Sequence, residues 1–309
     1  MPDTVDAGLP PVALHTDEAG RTFGYVHVPH PGATGLAVHF SAFFGAWGDA
    51  RPYRDQFQGY FHRLKMLGSD PSRNWLFLCD AHGAFDNGTY YTGQAGDLFV
   101  ERAMTEIITD HLDRFGYRDQ PLVTLGSSMG ATAALKFGLD LDADGIVAIC
   151  PHIDLDVCAE RQDRRAEVAW ICPDGDPGAP HNHVYTRQIQ DRLDARSADR
   201  ALPRLYVQSC EDDAGVHDEL VVPLVERWRA LGGDVSADYR PVGGHTSDWA
   251  TRAVLLDAVA RLAEGRPIDV ERYRLDPEFA GRLVRPPVSH RLRRAASLTR
   301  KRVLGAVGR

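Results

Sequence analysis

No apolar run in this chain of 309 residues approaches ~18 residues, the length a helix needs to cross a bilayer, so no membrane span is expected. The N-terminal stretch Met1-Pro2-Asp3-Thr4-Val5-Asp6 is acidic and lacks an apolar h-region, which argues against a secretory signal. Two nucleotide signatures are missing, Gly-x-Gly-x-x-Gly and Gly-x-x-x-x-Gly-Lys-Ser/Thr, so neither a dinucleotide fold nor a phosphate loop is expected, and no cofactor. Cysteine is scarce and odd in number: Cys79, Cys150, Cys158, Cys172 and Cys210, with no Cys-x-x-Cys. All but Cys158 sit in or at the ends of apolar runs. They read as buried free thiols of a reducing compartment, the cytoplasm, and not as a disulfide framework or metal cage.

What is present is an ordinary globular composition with a lopsided charge. Hydrophobic residues make up 43% and charged residues 25%, enough to bury one large α/β core. The last 29 residues, 281–309, hold nine Lys/Arg and no Asp/Glu, while the rest carries 26 basic and 43 acidic groups. Runs such as Arg291-Leu292-Arg293-Arg294 and Arg300-Lys301-Arg302 suit an anionic lipid surface or an anionic polymer, which would bring the chain to a membrane periphery. The alternative is a tail folded back on an acidic body. No specific nucleic-acid contact is expected.

Along the chain, Val12-Ala13-Leu14-His15 and Phe23-Gly24-Tyr25-Val26-His27-Val28 flank a turn and read as an antiparallel hairpin. Short apolar strands follow at 35–40, 74–80, 122–126, 145–151, 204–210 and 235–242. Helical patterns separate them at 53–67, 97–115, 128–138, 219–231 and 247–264. Residues 152–200 are irregular, apart from a polar helix at about 184–195, and suit a cap or lid. Strand and helix in alternation predict a mostly parallel central sheet with helices on both faces. The core domain is expected to span 1–265, with 266–309 as a basic extension.

The chemistry concentrates at three strand ends. Strand 122–126 runs into Gly126-Ser127-Ser128-Met129-Gly130 and then a helix, the sequence form of a nucleophile elbow. Only Ser128 has Gly two before and two after, which lets strand and helix approach closely. A Ser hydroxyl needs a base, usually a His oriented by a carboxylate. Strand 204–210 runs into Glu211-Asp212-Asp213-Ala214-Gly215-Val216, and strand 235–242 into Gly243-Gly244-His245. His245 is the expected base and Asp213 the expected acid, with Asp212 as runner-up.

These three motifs, in this order and each after a strand, resemble the α/β-hydrolase superfamily over roughly residues 10–265. The resemblance implies an α/β-hydrolase fold and an acyl-enzyme on Ser128. It also implies an oxyanion hole made by the Met129 N–H and a second N–H from Ala42 or Phe43, in Ser41-Ala42-Phe43-Phe44-Gly45. A second similarity, carried by Phe40-Ser41-Ala42-Phe43-Phe44-Gly45, Asp80-Ala81-His82-Gly83 and Tyr90-Tyr91-Thr92-Gly93, is to hydrolase-like proteins of bacterial capsule-polysaccharide biosynthesis and accessory secretion. The expected function is thus a serine hydrolase or acyltransferase on a small-molecule or glycan-linked ester. The alternative is a noncatalytic scaffold of that fold. Substrate contacts are expected from Phe43, Phe44, Trp47, Asp80, His82 and His152, with Asp154 similarly placed. Asp174, Asp176, His181 and His183 lack a recognised metal spacing, and no metal is expected.

Overall fold

The computed structural model describes residues 11–43, 61–196, 200–213 and 215–280. The tail 281–309, Phe44, Trp47 and the start of the helix expected from Tyr53 lie outside them.

Among the described residues eight strands form one sheet: β1 (Ala13–Thr16), β2 (Thr22–Val28), β3 (Leu36–Phe40), β4 (Asn74–Leu78), β5 (Leu122–Ser127), β6 (Gly145–Ile149), β7 (Arg204–Cys210) and β8 (Val235–Arg240). Their spatial order is β1-β2-β4-β3-β5-β6-β7-β8. The hairpin β1–β2 is antiparallel and joins β4 antiparallel; every other pairing is parallel. The helices are α1 (Leu64–Leu67), α2 (Phe99–Arg114), α3 (Met129–Asp140), α4 (Leu155–Arg161), α5 (Arg165–Ile171), α6 (His183–Thr186), α7 (Gln188–Asp194), α8 (Val222–Ala230), α9 (Arg252–Ala263), α10 (Val270–Leu275) and α11 (Pro277–Ala280). None is long and apolar enough to cross a membrane.

Every residue of β3, β4, β5 and β6 is buried, because helices cover both faces of the sheet. The strand period still sorts the side chains. Val38, Phe40, Leu76, Leu78, Ile146 and Ala148 enter the core under α2 and α3, whereas Ala37, Trp75, Phe77, Val123, Val147 and Ile149 face the core under α9. Phe40 stacks on Phe137 of α3 with ring centroids 5.1 Å apart. Burying each such ring contributes roughly 1.5–3 kcal/mol.

Helix boundaries differ from the sequence pattern where polar groups intervene. The helix expected from Ser247 begins at Arg252, because Thr251 caps it, its hydroxyl accepting from the Val254 N–H at 3.3 Å. The helix expected from Glu219 is preceded by a wide turn, His217–Val221, that leads into α8. The polar helix expected at about 184–195 is broken at Arg187 into α6 and α7. Residues read as irregular hold α4, whose N-terminus is capped by Asp154 through the Asp156 and Val157 N–H groups, and α5. Past Gly265 the chain continues against the body. Tyr273 and Phe279 are buried, and Arg274 donates to Asp238 and to the Tyr239 carbonyl of edge strand β8.

The sheet reverses direction of growth between β3 and β5: β4 lies on one side of this pair and β6 to β8 on the other. A crevice forms at the C-terminal ends of strands at such a reversal, where ligands of open α/β sheets bind. The β3–β5 register pairs Phe40 with Gly126, which sets the loop from Ser41 beside the turn at Ser128.

Candidate active site

The turn between β5 and α3 places Ser128 at φ 54°, ψ −123°. A side chain rarely adopts a positive φ, and the strain persists only where surroundings impose it. Here they do. The Ser128 N–H is tied to the Ile149 carbonyl of the neighbouring strand at 2.8 Å. A Cβ on Gly126 would lie 2.2 Å from the Gly130 carbonyl oxygen, and one on Gly130 would lie 2.2 Å from that of Phe40. Both positions therefore require glycine. The two adjacent serines diverge: Ser127 is buried and accepts from Arg63 Nη1 at 3.5 Å, while Ser128 remains partly open.

His245 Nε2 lies 2.9 Å from Ser128 Oγ, and His245 Nδ1 lies 2.8 Å from Asp213 Oδ2. Asp213 is 3% exposed and His245 about a quarter exposed. The two carboxylates that sequence left as alternatives take separate jobs. Asp213 meets the imidazole. Asp212 accepts from the Gly244 N–H at 2.6 Å and so holds the loop that delivers it. That loop needs its glycines: φ is +149° at Gly243 and +65° at Gly244, and a Cβ on Gly243 would meet Cys210 Sγ at 2.7 Å. The second oxygen of Asp213 faces Gln162 Nε2 at 3.5 Å, a lid contact the sequence reading missed. Its only sequence signal was a place at the end of a capped helix.

Met129 is the first residue of α3, so its N–H has no acceptor within the helix and is free to face a developing oxyanion. Ala42 and Phe43 are half-buried on the facing loop. The Phe43 ring packs edge-on against Tyr90 at 5.2 Å, under the Arg164 guanidinium at 4.8 Å.

His152 is brought to the site: its ring stacks on His245 with centroids 4.8 Å apart. Asp80 and His82 are engaged elsewhere. Asp80 is fully buried, and its carboxylate accepts from the N–H groups of His82, Thr89 and Tyr91 and from the Thr89 hydroxyl. The His82 ring packs between Phe23 and Phe99. These contacts build the 80–91 loop. Asp154 caps α4 and meets Arg187. His181 and His183 go to different carboxylates, Asp174 and Asp156, so the four residues weighed for a metal do not converge.

A different trio does converge. Cys150 Sγ, an Asp213 oxygen and a His245 nitrogen lie within 4.8 Å of one another. Burial pushes the Cys150 thiol up, which keeps it protonated, and it donates to the Thr246 carbonyl at 3.3 Å. It reads as a prop for the His245 loop. A buried lysine braces the other side. Lys136 of α3 donates to the Tyr91 carbonyl at 2.7 Å, Glu101 at 2.8 Å and Gln188 at 3.1 Å, tying the elbow helix to α2 and the lid.

The sheet order, the reversal at β3–β5 and the strained serine define an α/β-hydrolase fold. Comparison with known proteins agrees. The chain is 17% identical to a chain of the glycosylation-associated Gap123 complex of Streptococcus agalactiae, with a TM-score of 0.59, over 87% of this chain and 48% of that one. It is 17% identical to the capsule O-acetyltransferase of Neisseria meningitidis serogroup A, with a TM-score of 0.57, over 84% of this chain and 92% of that one. It is 12% identical to the fluorophosphonate-binding serine hydrolase FphF of Staphylococcus aureus, with a TM-score of 0.54, over 82% of this chain and 99% of that one.

No family model matches. In sequence the chain is similar to accessory Sec system proteins. It is 25% identical over 138 residues to one from Staphylococcus aureus, 44% of this chain and 23% of that protein, and 26% identical over 145 residues to one from Streptococcus gordonii, 47% and 25%. The chain thus matches about a quarter of the length of these curated relatives.

Proposed function

We propose that this chain is a serine hydrolase or acyltransferase that works through an acyl-enzyme on Ser128. The observation that carries the reading is the unbroken line Asp213–His245–Ser128, at 2.8 and 2.9 Å, ending on a strained serine. Ser128 Oγ attacks an ester carbonyl and His245 Nε2 takes its proton. Met129 N–H, with Ala42 or Phe43 N–H, holds the oxyanion. The carbonyl–leaving-group bond then breaks as His245 returns the proton to the departing oxygen. Water or an acceptor hydroxyl attacks the acyl carbon, losing its proton to His245, which passes that proton to Ser128 Oγ as the acyl–Oγ bond breaks. Asp213 holds the imidazole tautomer and stabilises its charged form.

The substrate we propose is a small O-acyl group, acetyl in the first instance, on a carbohydrate or cell-surface polymer precursor. Support comes from the names of two neighbours, a capsule O-acetyltransferase and a glycosylation-associated complex. We place the protein in the cytoplasm, with the basic residues of 281–309 bringing it to an anionic surface or polymer. Similarity to the accessory Sec proteins favours a second reading, a noncatalytic scaffold of the same fold. A fluorophosphonate probe separates the two. The enzyme reading expects covalent labelling of the wild type and none of Ser128→Ala; a folded wild type that stays unlabelled is a scaffold.

A further inference from the structure

We propose that His152 is a positioning residue for the proton shuttle, its ring face holding the His245 imidazole in line between Asp213 and Ser128. This rests on the acyl-enzyme reading above. The two imidazoles are nearly parallel, 17° apart in plane. His245 rises from a loop whose two glycines sit at positive φ, and it is about a quarter exposed. Two hydrogen bonds along its edge fix the direction in which its nitrogens point, but they resist tilting of the ring face only weakly. A wall against one face does.

His152 is fixed from directions independent of the His245 loop. Thr132, one turn into the elbow helix, accepts from the His152 N–H at 3.2 Å and donates to its carbonyl at 2.7 Å. Tyr90 Oη lies 3.2 Å from His152 Nδ1. Tyr90 itself sits at φ 55° in the loop that Asp80 knots together, and its ring touches Phe43. The wall is thus built on the nucleophile's helix and on the oxyanion-side loop, so a single side chain registers three parts of the site against one another.

The charge state fits. The groups facing His152 are His245 on its face, Tyr90 on its edge, Thr132 beneath and Arg164 from the lid. Those facing His245 are Asp213, Ser128, His152 and the Cys150 thiol. Burial, with the charges of His245 and Arg164, holds His152 well below the usual imidazole range. It therefore adds no second positive charge beside the cation that forms when His245 takes the Ser128 proton. A charged ring there would oppose that cation. His152 Nε2 is buried with no partner among the described residues.

The test uses the full-length chain, a fluorophosphonate probe and p-nitrophenyl acetate. His152→Ala should label and turn over about 30-fold more slowly with KM within about twofold, while His152→Phe stays within about threefold of wild type. His152→Leu, which fills the space without a ring face, serves if the alanine variant does not fold, with the same expected loss. Rates are taken per folded molecule, so a merely structural role would lower the melting temperature and leave them unmoved. A ringless variant that labels at the wild-type rate, or a phenylalanine variant as slow as alanine, overturns the role of His152 and leaves the acyl-enzyme standing. A wild type that never labels overturns both.

Discussion

Asp80 and Asp213 are near-twins in position. Each follows a strand on the same edge of the sheet, and each is buried, at 0% and 3% exposure. Their partners differ completely. Asp80 is spent on N–H and hydroxyl donors of its own loop, 80–91. Asp213 presents an oxygen to an imidazole carried on a separate strand end. A carboxylate at a catalytic edge is therefore a candidate only; what distinguishes the acid of a triad is that its partner is a titratable ring able to pass the charge on. Asp80 shapes its own loop and Asp213 meets the imidazole, and replacing each carboxylate should separate the two.

The largest expected effect is on Asp213. Asp213→Asn should lower kcat on p-nitrophenyl acetate by ~10⁴ through loss of tautomer control, as in trypsin-type triads. Its melting temperature should stay within about 3 °C, since about one hydrogen bond is altered in a protein of this size. A fall in rate under tenfold would break the comparison, for Asp213 would then be another Asp80.

Asp80 should behave in the opposite way. Asp80→Ala strands three backbone N–H groups and a hydroxyl, those of Thr89 and Tyr91 buried, and should cost about 3 kcal/mol or more of stability. The measurement is chemical denaturation, with labelling of the fraction still folded. Should the folded fraction lose labelling altogether at unchanged stability, Asp80 acts in the chemistry and the contrast fails.

The same distinction explains what the sequence made legible. Strands β3 to β6 announce themselves because burial on both faces makes each a short, mostly apolar run, and the elbow is readable because Gly126 and Gly130 answer steric demands of the turn. Ser128 and His245 are legible from strand ends, whereas the choice between Asp212 and Asp213 is not. What stays hidden depends on partners distant in the chain. The stack of His152 on His245 and the bond of Gln162 to Asp213 leave no periodic trace. Helices α4 and α5 were within reach, since Asp154 before Leu155 and Cys158 is a cap followed by an apolar face. Nothing local marks the break at Arg187 that divides the helical pattern of 184–195.

The smallest expected effect is the sharpest check on register, because Asp212 and Asp213 are adjacent and chemically identical. Asp212 is exposed, and its bond to the Gly244 N–H is charge-assisted but open to solvent. Losing such a bond costs about 1 kcal/mol. If all of it appears as disorder of the His245 loop, kcat falls about fivefold. Asp212→Ala should therefore give a modest loss of rate on p-nitrophenyl acetate. Gly244 would lose the acceptor that pins it, so the loss should grow with temperature as the loop loosens, whereas that of Asp213→Asn should change little, being a matter of tautomer. A loss for Asp212→Ala near that expected of Asp213→Asn would mean that the carboxylate serving the imidazole during turnover is the other one.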